Sequence, residues 1–303
     1  MSTVLAADIG GTNIRAALVQ KDGSTAGEEL TRIDLGDRNL SEDDLIERLT
    51  VFFSDIISKH DDITAIGAGF PGFFLGHTGH LVSSPNLPNL QQVELATRLS
   101  QTLNIPVHMQ NDALCAAIGE QRFGTGRGIP NLLHITLGTG VGGGLILNNT
   151  PYTGENGMAM EFGHLCVARD ESARICGCGG RGCVEAYASA TAIAQRYFET
   201  TSIRASAVEI YKRACSGDSD AKTILESAGS YLGMAIAEAV KILDIHTVTI
   251  SGGLIGAWLQ LHPAMVDSMN INLIPPLKGK ITILKSTLND QAGLLGAAAL
   301  VTT

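Results

Sequence analysis

Val4-Leu5-Ala6-Ala7, then Asp8-Ile9-Gly10-Gly11-Thr12, then Ile14 to Val19: an apolar strand, a glycine-rich turn and a second strand-like run open the chain. The same order returns further along. Leu132 to Leu137 is apolar, Gly138-Thr139-Gly140 turns the chain, and Gly144-Leu145-Ile146-Leu147 leaves it as another strand pattern. Strand patterns on both sides of each turn predict two β-hairpins rather than strand–loop–helix units. Residues 138–143 also spell G-x-G-x-x-G, but a dinucleotide site needs a helix after the turn, and a strand pattern follows here. No G-x-x-x-x-G-K-[ST] string occurs, which excludes a P-loop. Glycine turns beside strands let backbone N–H groups approach a phosphate closely. Asp8 adds a carboxylate suited to Mg2+, a cation that takes oxygen ligands, and Thr12 and Thr139 add hydroxyl donors. Either turn alone also fits an ordinary hairpin. Two of them in separate halves predict a nucleotide held between two lobes.

Between the hairpins the apolar period becomes helical. Leu45, Leu49, Phe52, Phe53 and Ile56 share one face, and Ser41 with Asp44 three residues later resembles a capping box. Ile63 to Ala68 reads as a buried strand closed by Gly69-Phe70-Pro71-Gly72. Helical patterns follow at 91–103, 113–122, 188–199 and, longest, 220–243, before the strand Val248-Thr249-Ile250 ends in Ser251-Gly252-Gly253. Strands mixed with helices predict an α/β class. Of 303 residues, 45% are hydrophobic and 17% charged, enough apolar material for a core and the wrong composition for a disordered chain. The net charge of −9, with no basic run, excludes sequence-independent nucleic-acid binding and disfavours an anionic membrane surface. No run approaches the ~20 apolar residues of a membrane helix, and the first residues lack the basic segment of a signal peptide. These features predict a soluble, cytoplasmic protein.

Three of the six cysteines fall in Cys176-Gly177-Cys178-Gly179-Gly180-Arg181-Gly182-Cys183, which in a reducing cytosol points to a metal rather than a disulfide framework. With His164 they complete a tetrahedral Cys₃His zinc shell that has no open position and is therefore structural. Cys115, Cys166 and Cys215 have no partner at ligand spacing. Glu161 and His164, three apart, would share a face on a helical turn, and Glu185 lies two residues past Cys183. A knot that fixes His164 and Cys183 would also stiffen both carboxylates, which can then accept paired hydrogen bonds from vicinal sugar hydroxyls. Either glutamate alone equally fits a surface charge. Asn111-Asp112, between an apolar strand pattern and a helix, fits a helix cap at Asp112 or a general base.

In chain order, Asp8 to Thr12, Asn111-Asp112, Leu137-Gly138-Thr139-Gly140-Val141-Gly142-Gly143-Gly144, Glu161-Phe162-Gly163-His164 and Cys176 to Cys183 resemble the motifs of the ROK family of sugar kinases and sugar-responsive repressors. The resemblance runs from Ala7 to Ala297 and is strongest toward bacterial glucokinases. It implies an actin-like ATPase (ribonuclease H-like) α/β fold, with two lobes around a nucleotide and sugar cleft. The small lobe would be 1–115 plus 290–303 and the large lobe 116–289. It also implies ATP-dependent phosphorylation of a hexose 6-hydroxyl, with Mg2+, structural Zn2+ and a homodimer. Carried over by motif, Asp112 matches the general base. Gly72, Asn86, Asn111, Glu161, His164 and Glu185 match sugar contacts. Asp8, Gly10, Gly11, Thr12, Thr139 and Gly140 match the phosphate turns, and Gly252-Gly253 the adenosine side. His164 would then serve zinc and sugar through its two ring nitrogens. Asn13 stands where many members carry Lys, and its role stays open.

Only eleven residues separate His164 from Cys176, which resembles glucokinases more than N-acetylglucosamine kinases. N-acetylmannosamine, N-acetylglucosamine and fructose kinases are the alternatives within the class. A sugar-responsive repressor would carry a DNA-binding module ahead of the first turn, which here begins at residue 8. Retention of Asp8 and Asp112 favours catalysis.

Overall fold

A computed structural model describes residues 3–10, 14–20, 22–26 and 39–302. The chain forms two compact units, one of Met1–Pro130, Gly144–Ala159 and Gln291–Thr303, the other of Asn131–Gly143 and Met160–Asp290.

In the first unit, β1 (Thr3–Ile9) and β2 (Ile14–Val19) form the antiparallel hairpin expected from the sequence, in a register that sets Asp8 opposite Arg15. With β3 (Thr25–Ala26), β4 (Ile63–Phe70) and β8 (Val107–Asn111) the sheet order is β3-β2-β1-β4-β8, and β4 runs parallel to both β1 and β8. Helix α1 (Glu42–Ile57) starts at Ser41, whose Oγ accepts the Asp44 N–H (3.2 Å), while Glu42, Asp43 and Asp44 complement the positive end of the helix. Its buried Leu45, Leu49, Phe52 and Phe53 join Ile9, Ile66 and Phe70 in one core. The pattern at 91–103 resolves into strand and helix. Residues Gln91–Val93 form β7 in a small antiparallel sheet with β5 (Phe73–Phe74) and β6 (Leu81–Ser83), and α2 begins only at Leu95, ending at Leu103.

Helix α3 (Asp112–Phe123) packs on α9 (Ala292–Ala299), and α9 also lies against β1 and β4. The two helices cross backbone to backbone. A Cβ on Gly296 would stand 1.6 Å from Cys115 O, and one on Gly119 would stand 2.1 Å from Ala292 O. That packing keeps α3 whole within the first unit, whose leading segment ends at Pro130 where the lobe boundary was expected after residue 115. The returning segment starts at Gln291, one residue from the expected 290.

The second unit holds β9 (Leu132–Leu137), with β12 (Thr247–Ser251) parallel to it and β13 (Thr282–Lys285) parallel to β12. The second five-stranded order, β11-β10-β9-β12-β13, also includes β10 (Val141–Leu147) and β11 (Thr150–Pro151), of which all but Val141–Gly143 belongs to the Gly144–Ala159 segment of the first unit. It repeats the scheme of the first sheet, a hairpin edge followed by parallel strands. Because a strand follows the Gly138–Gly140 turn, the dinucleotide reading of G-x-G-x-x-G fails, as its context required. The helices are α4 (Glu185–Ala188), α5 (Ala190–Thr201), α6 (Ala207–Cys215), α7 (Ser219–Leu243) and α8 (Trp258–Asn272). Helix α5 starts two residues later than the 188–199 pattern, because Ser189 caps it by accepting the Ala192 N–H (3.1 Å). Ile224, Leu225, Leu232 and Ile236 of α7 are buried, and α7 packs along α8. Among the described residues no helix is long and apolar enough to cross a membrane.

His134 on β9 is fully buried, with Nδ1 2.8 Å from Thr249 Oγ1 and Nε2 2.9 Å from Ser251 Oγ. The two hydroxyls satisfy a neutral ring, and burial pushes its pKa from 6.5 down to about 3. On acidification the unfolded chain therefore binds this proton first. Stability from the buried ring is full above about pH 6.5 and falls steadily as the pH drops toward 3. Urea unfolding at pH 6.5 and pH 5 should differ by about 2 kcal/mol more in the wild type than in His134→Gln. Equal shifts in the two proteins would show that His134 titrates normally.

Candidate active site

On the first unit, Asp8 closes β1 with its carboxylate Oδ2 2.5 Å from the Arg15 guanidinium and beside Gly293, the second residue of α9. The positive end of α9 thus meets the Asp8 carboxylate. Arg15 was not anticipated, although the hairpin register places it directly across from Asp8. Gly10 is half-buried at the start of the turn, and Gly11 and Thr12 lie outside the described residues.

At the end of β8 the roles of Asn111 and Asp112 separate. Asn111, not Asp112, caps α3, its Oδ1 accepting the Leu114 N–H (3.0 Å) while its Nδ2 donates to Gly72 O (3.0 Å). The cap expected at Asp112 is therefore supplied by its neighbour. Asp112 occupies the first helical position, half-buried, with Oδ1 accepting the Ala113 N–H (2.8 Å). The close approach of β4 fixes this corner, since a Cβ on Gly69 would touch Asp112 Cα at 3.5 Å. Burial, and after it the Asp112 and Asp8 carboxylates, push the nearby Cys115 thiol well up from its usual range. Gly72 is buried against Leu81 and Ser83, and Asn86 is exposed on the loop after β6.

On the second unit, a short 3-10 turn at Phe162–His164 ends on His164, and Glu161 stands just before it. His164 Nδ1 faces Cys176 Sγ (3.7 Å), and Nε2 faces Glu161 Oε2 (3.6 Å). Partial burial holds the Glu161 carboxyl above its usual range, the His164 ring opposes this, and Glu185 adds to it. Glu161, His164 and Glu185 therefore stand within electrostatic reach of one another.

His164, Cys176, Cys178 and Cys183 each turn one ligand atom inward, and these atoms all lie within 4.8 Å of one another. Cys178 Sγ is 3.8 Å from Cys183 Sγ and accepts the Gly180 N–H (3.4 Å), which lowers its pKa. Burial raises the Cys183 thiol. Gly182, at φ 77°, lets the strand return so closely that a Cβ would fall 1.8 Å from Ala168 O. Three sulfurs and an imidazole nitrogen at this separation match the donor set and closed geometry of a structural zinc centre.

The turn between β9 and β10 sits beside this knot. Thr139 is exposed, and Gly140 has Glu185 Oε2 where a Cβ would be, 2.5 Å away. Gly252, at φ 94°, lies against Leu137, so the turn after β12 borders the turn after β9. Gly253 next to it faces open space. Thr191, which the sequence did not mark, donates through Oγ1 to Thr139 O (2.9 Å).

The model of the ROK family matches residues 4–303. A glucokinase of Thermotoga maritima is 30% identical over 312 residues, covering 98% of this chain and 96% of its own. A glucokinase of Halalkalibacterium halodurans is 32% identical over 316 residues, covering 97% and 93%. A crystal structure of a ROK family glucokinase from Streptomyces griseus, in complex with glucose and AMPPNP, superposes with a TM-score of 0.84 at 28% identity, covering 99% of each chain. The family model spans nearly the whole chain, and two relatives of 30% identity or more cover it almost end to end, so the chain belongs to the ROK family.

Proposed function

We propose that the protein transfers the γ-phosphate of ATP to the 6-hydroxyl of a hexose, with glucose as the preferred acceptor. The observation that carries this reading is the division of labour at the start of α3. Asn111 supplies the side-chain cap, and beside it the half-buried Asp112 carboxylate stands at the position expected for the base. In the reaction the hexose oxygen forms a bond to the γ-phosphorus, the bond to the ADP oxygen breaks, and Asp112 takes the hydroxyl proton. Such transition states are loose, so positioning and electrostatics dominate. Asp8 supports Mg2+, and the Gly10 and Gly138–Val141 turns offer N–H groups to the phosphates. Gly72, Asn86, Asn111, Glu161, His164 and Glu185 form the proposed sugar set. A coupled assay of ADP release over glucose, N-acetylmannosamine, N-acetylglucosamine and fructose tests the preference. A kcat/KM for glucose below that for any of the other three would overturn it.

Zinc is the proposed occupant of the knot, held by His164 Nδ1, Cys176, Cys178 and Cys183. It would cross-link the glycine-rich loop and leave His164 Nε2 for the sugar. Cys178→Ser replaces a thiolate by a poor zinc ligand, so metal content should fall from about one zinc per chain to near none. We expect a higher hexose KM and a lower kcat alongside. The Gly138–Val141 turn lies apart from the knot in sequence, yet its ties to Glu185 and Thr191 predict weaker ATP binding too. Wild-type protein that carries no zinc when purified without chelators, yet phosphorylates glucose normally, would reject the site. A homodimer and a cytoplasmic setting complete the reading. Exposed Ile242, Leu259 and Ile271 on α7 and α8 offer apolar surface, and all six cysteines are free thiols.

A further inference from the structure

The turn between β9 and β10 is short of internal support. Within it the Gly138 N–H donates to Gly140 O (3.0 Å). Among the described residues, three hydrogen bonds tie it to one seven-residue stretch, Glu185 to Thr191. Glu185 Oε2 accepts the Val141 N–H (2.9 Å), Gly138 O accepts the Ala190 N–H (2.9 Å), and Thr139 O accepts the Thr191 hydroxyl (2.9 Å). Glycine at 140 is what admits the carboxylate, because any Cβ there would collide with Glu185 Oε2. The same stretch begins two residues past Cys183, and Val184 N–H donates to Leu165 O (2.9 Å), next to His164. Cys176 Sγ lies 3.7 Å from the other oxygen, Glu185 Oε1. One side chain therefore touches the phosphate turn with one oxygen and the knot with the other.

We propose that Glu185 is a positioning residue for the nucleotide as well as a member of the sugar set, its Oε2 holding the Gly138–Val141 turn in the form that receives the phosphates. This rests on the kinase reading above. The charge of Glu185 works against its geometry, since a carboxylate beside a phosphate-binding turn repels the ligand it helps to seat. What favours nucleotide is the hydrogen bond to Val141, which an amide oxygen can accept equally well. The two effects separate by substitution. Glu185→Gln keeps the acceptor and removes the charge, whereas Glu185→Ala removes both.

The test is calorimetric titration of Mg2+-AMPPNP into wild type, Glu185→Gln, Glu185→Ala and Thr191→Val, all without sugar. Glu185→Gln should bind as tightly as wild type or more tightly. Glu185→Ala should bind about tenfold more weakly, the value of one lost anchoring hydrogen bond. If repulsion alone mattered, Glu185→Ala would bind at least as tightly as Glu185→Gln, and the proposal would fall. Should Glu185→Ala not fold, Thr191→Val carries the test, since it cuts a separate tie and leaves Glu185 in place. A loss of about threefold is expected there, and unchanged affinity would overturn the proposal. Wild type that binds no nucleotide would instead overturn the kinase reading itself.

Discussion

Asp112→Asn is expected to lower kcat by at least ~10²-fold while leaving the KM for ATP little changed, within the ~10²–10⁴ typical of losing a general base. The structure makes this a clean substitution. The helix cap belongs to Asn111, and the Ala113 N–H that Asp112 Oδ1 accepts can be accepted as well by an asparagine oxygen. The charge lost at the first position of α3 costs about 0.3–1 kcal/mol of helix stabilisation, too little to unfold the protein. Thermal unfolding measured beside steady-state kinetics separates the two effects. A mutant within threefold of wild-type kcat would remove Asp112 as the base.

The second large effect is expected at Asp8. Asp8→Ala should reduce turnover by ~10²-fold or more, because no other group assigned here supports Mg2+ at the phosphates. The substitution also takes from Arg15 a partner at 2.5 Å. The productive Mg2+-ATP complex should weaken, because the carboxylate that supports the cation is gone. Calorimetry with glucose and no nucleotide should show sugar binding mostly preserved. If sugar affinity collapses while Mg2+-ATP affinity holds, Asp8 belongs to the sugar set and the roles of the two groups of residues must be exchanged.

Both hairpins were legible because their signal is local, glycine turns flanked by apolar runs. The knot was legible for the same reason, since Cys176, Cys178 and Cys183 lie in one short string and only His164 had to be added from outside it. What the sequence concealed depends on distant backbone. The end of the first unit's leading segment at Pro130 follows from Gly119 and Gly296 letting α3 and α9 touch, and nothing near residue 115 announces that contact. Helix α8 is hard to read from sequence because Pro263 lies inside it and its buried residues, Leu261, Met265, Ser268 and Met269, form a thin stripe. Asn111 and Asp112 are both good caps by residue type, so only the structure could say which one serves. The tie from Glu185 to Val141 spans 44 residues and ends on a backbone N–H, which no side-chain pattern records.

Phosphorus NMR of the protein mixed with Mg2+-ATP and glucose reads both the acceptor atom and the stoichiometry of transfer. One equivalent of glucose 6-phosphate should appear for each ADP, with negligible orthophosphate and no ADP when sugar is left out. ADP and orthophosphate formed at the same rate with or without sugar, or no turnover with any hexose, would contradict the assignment of this chain as a hexose kinase.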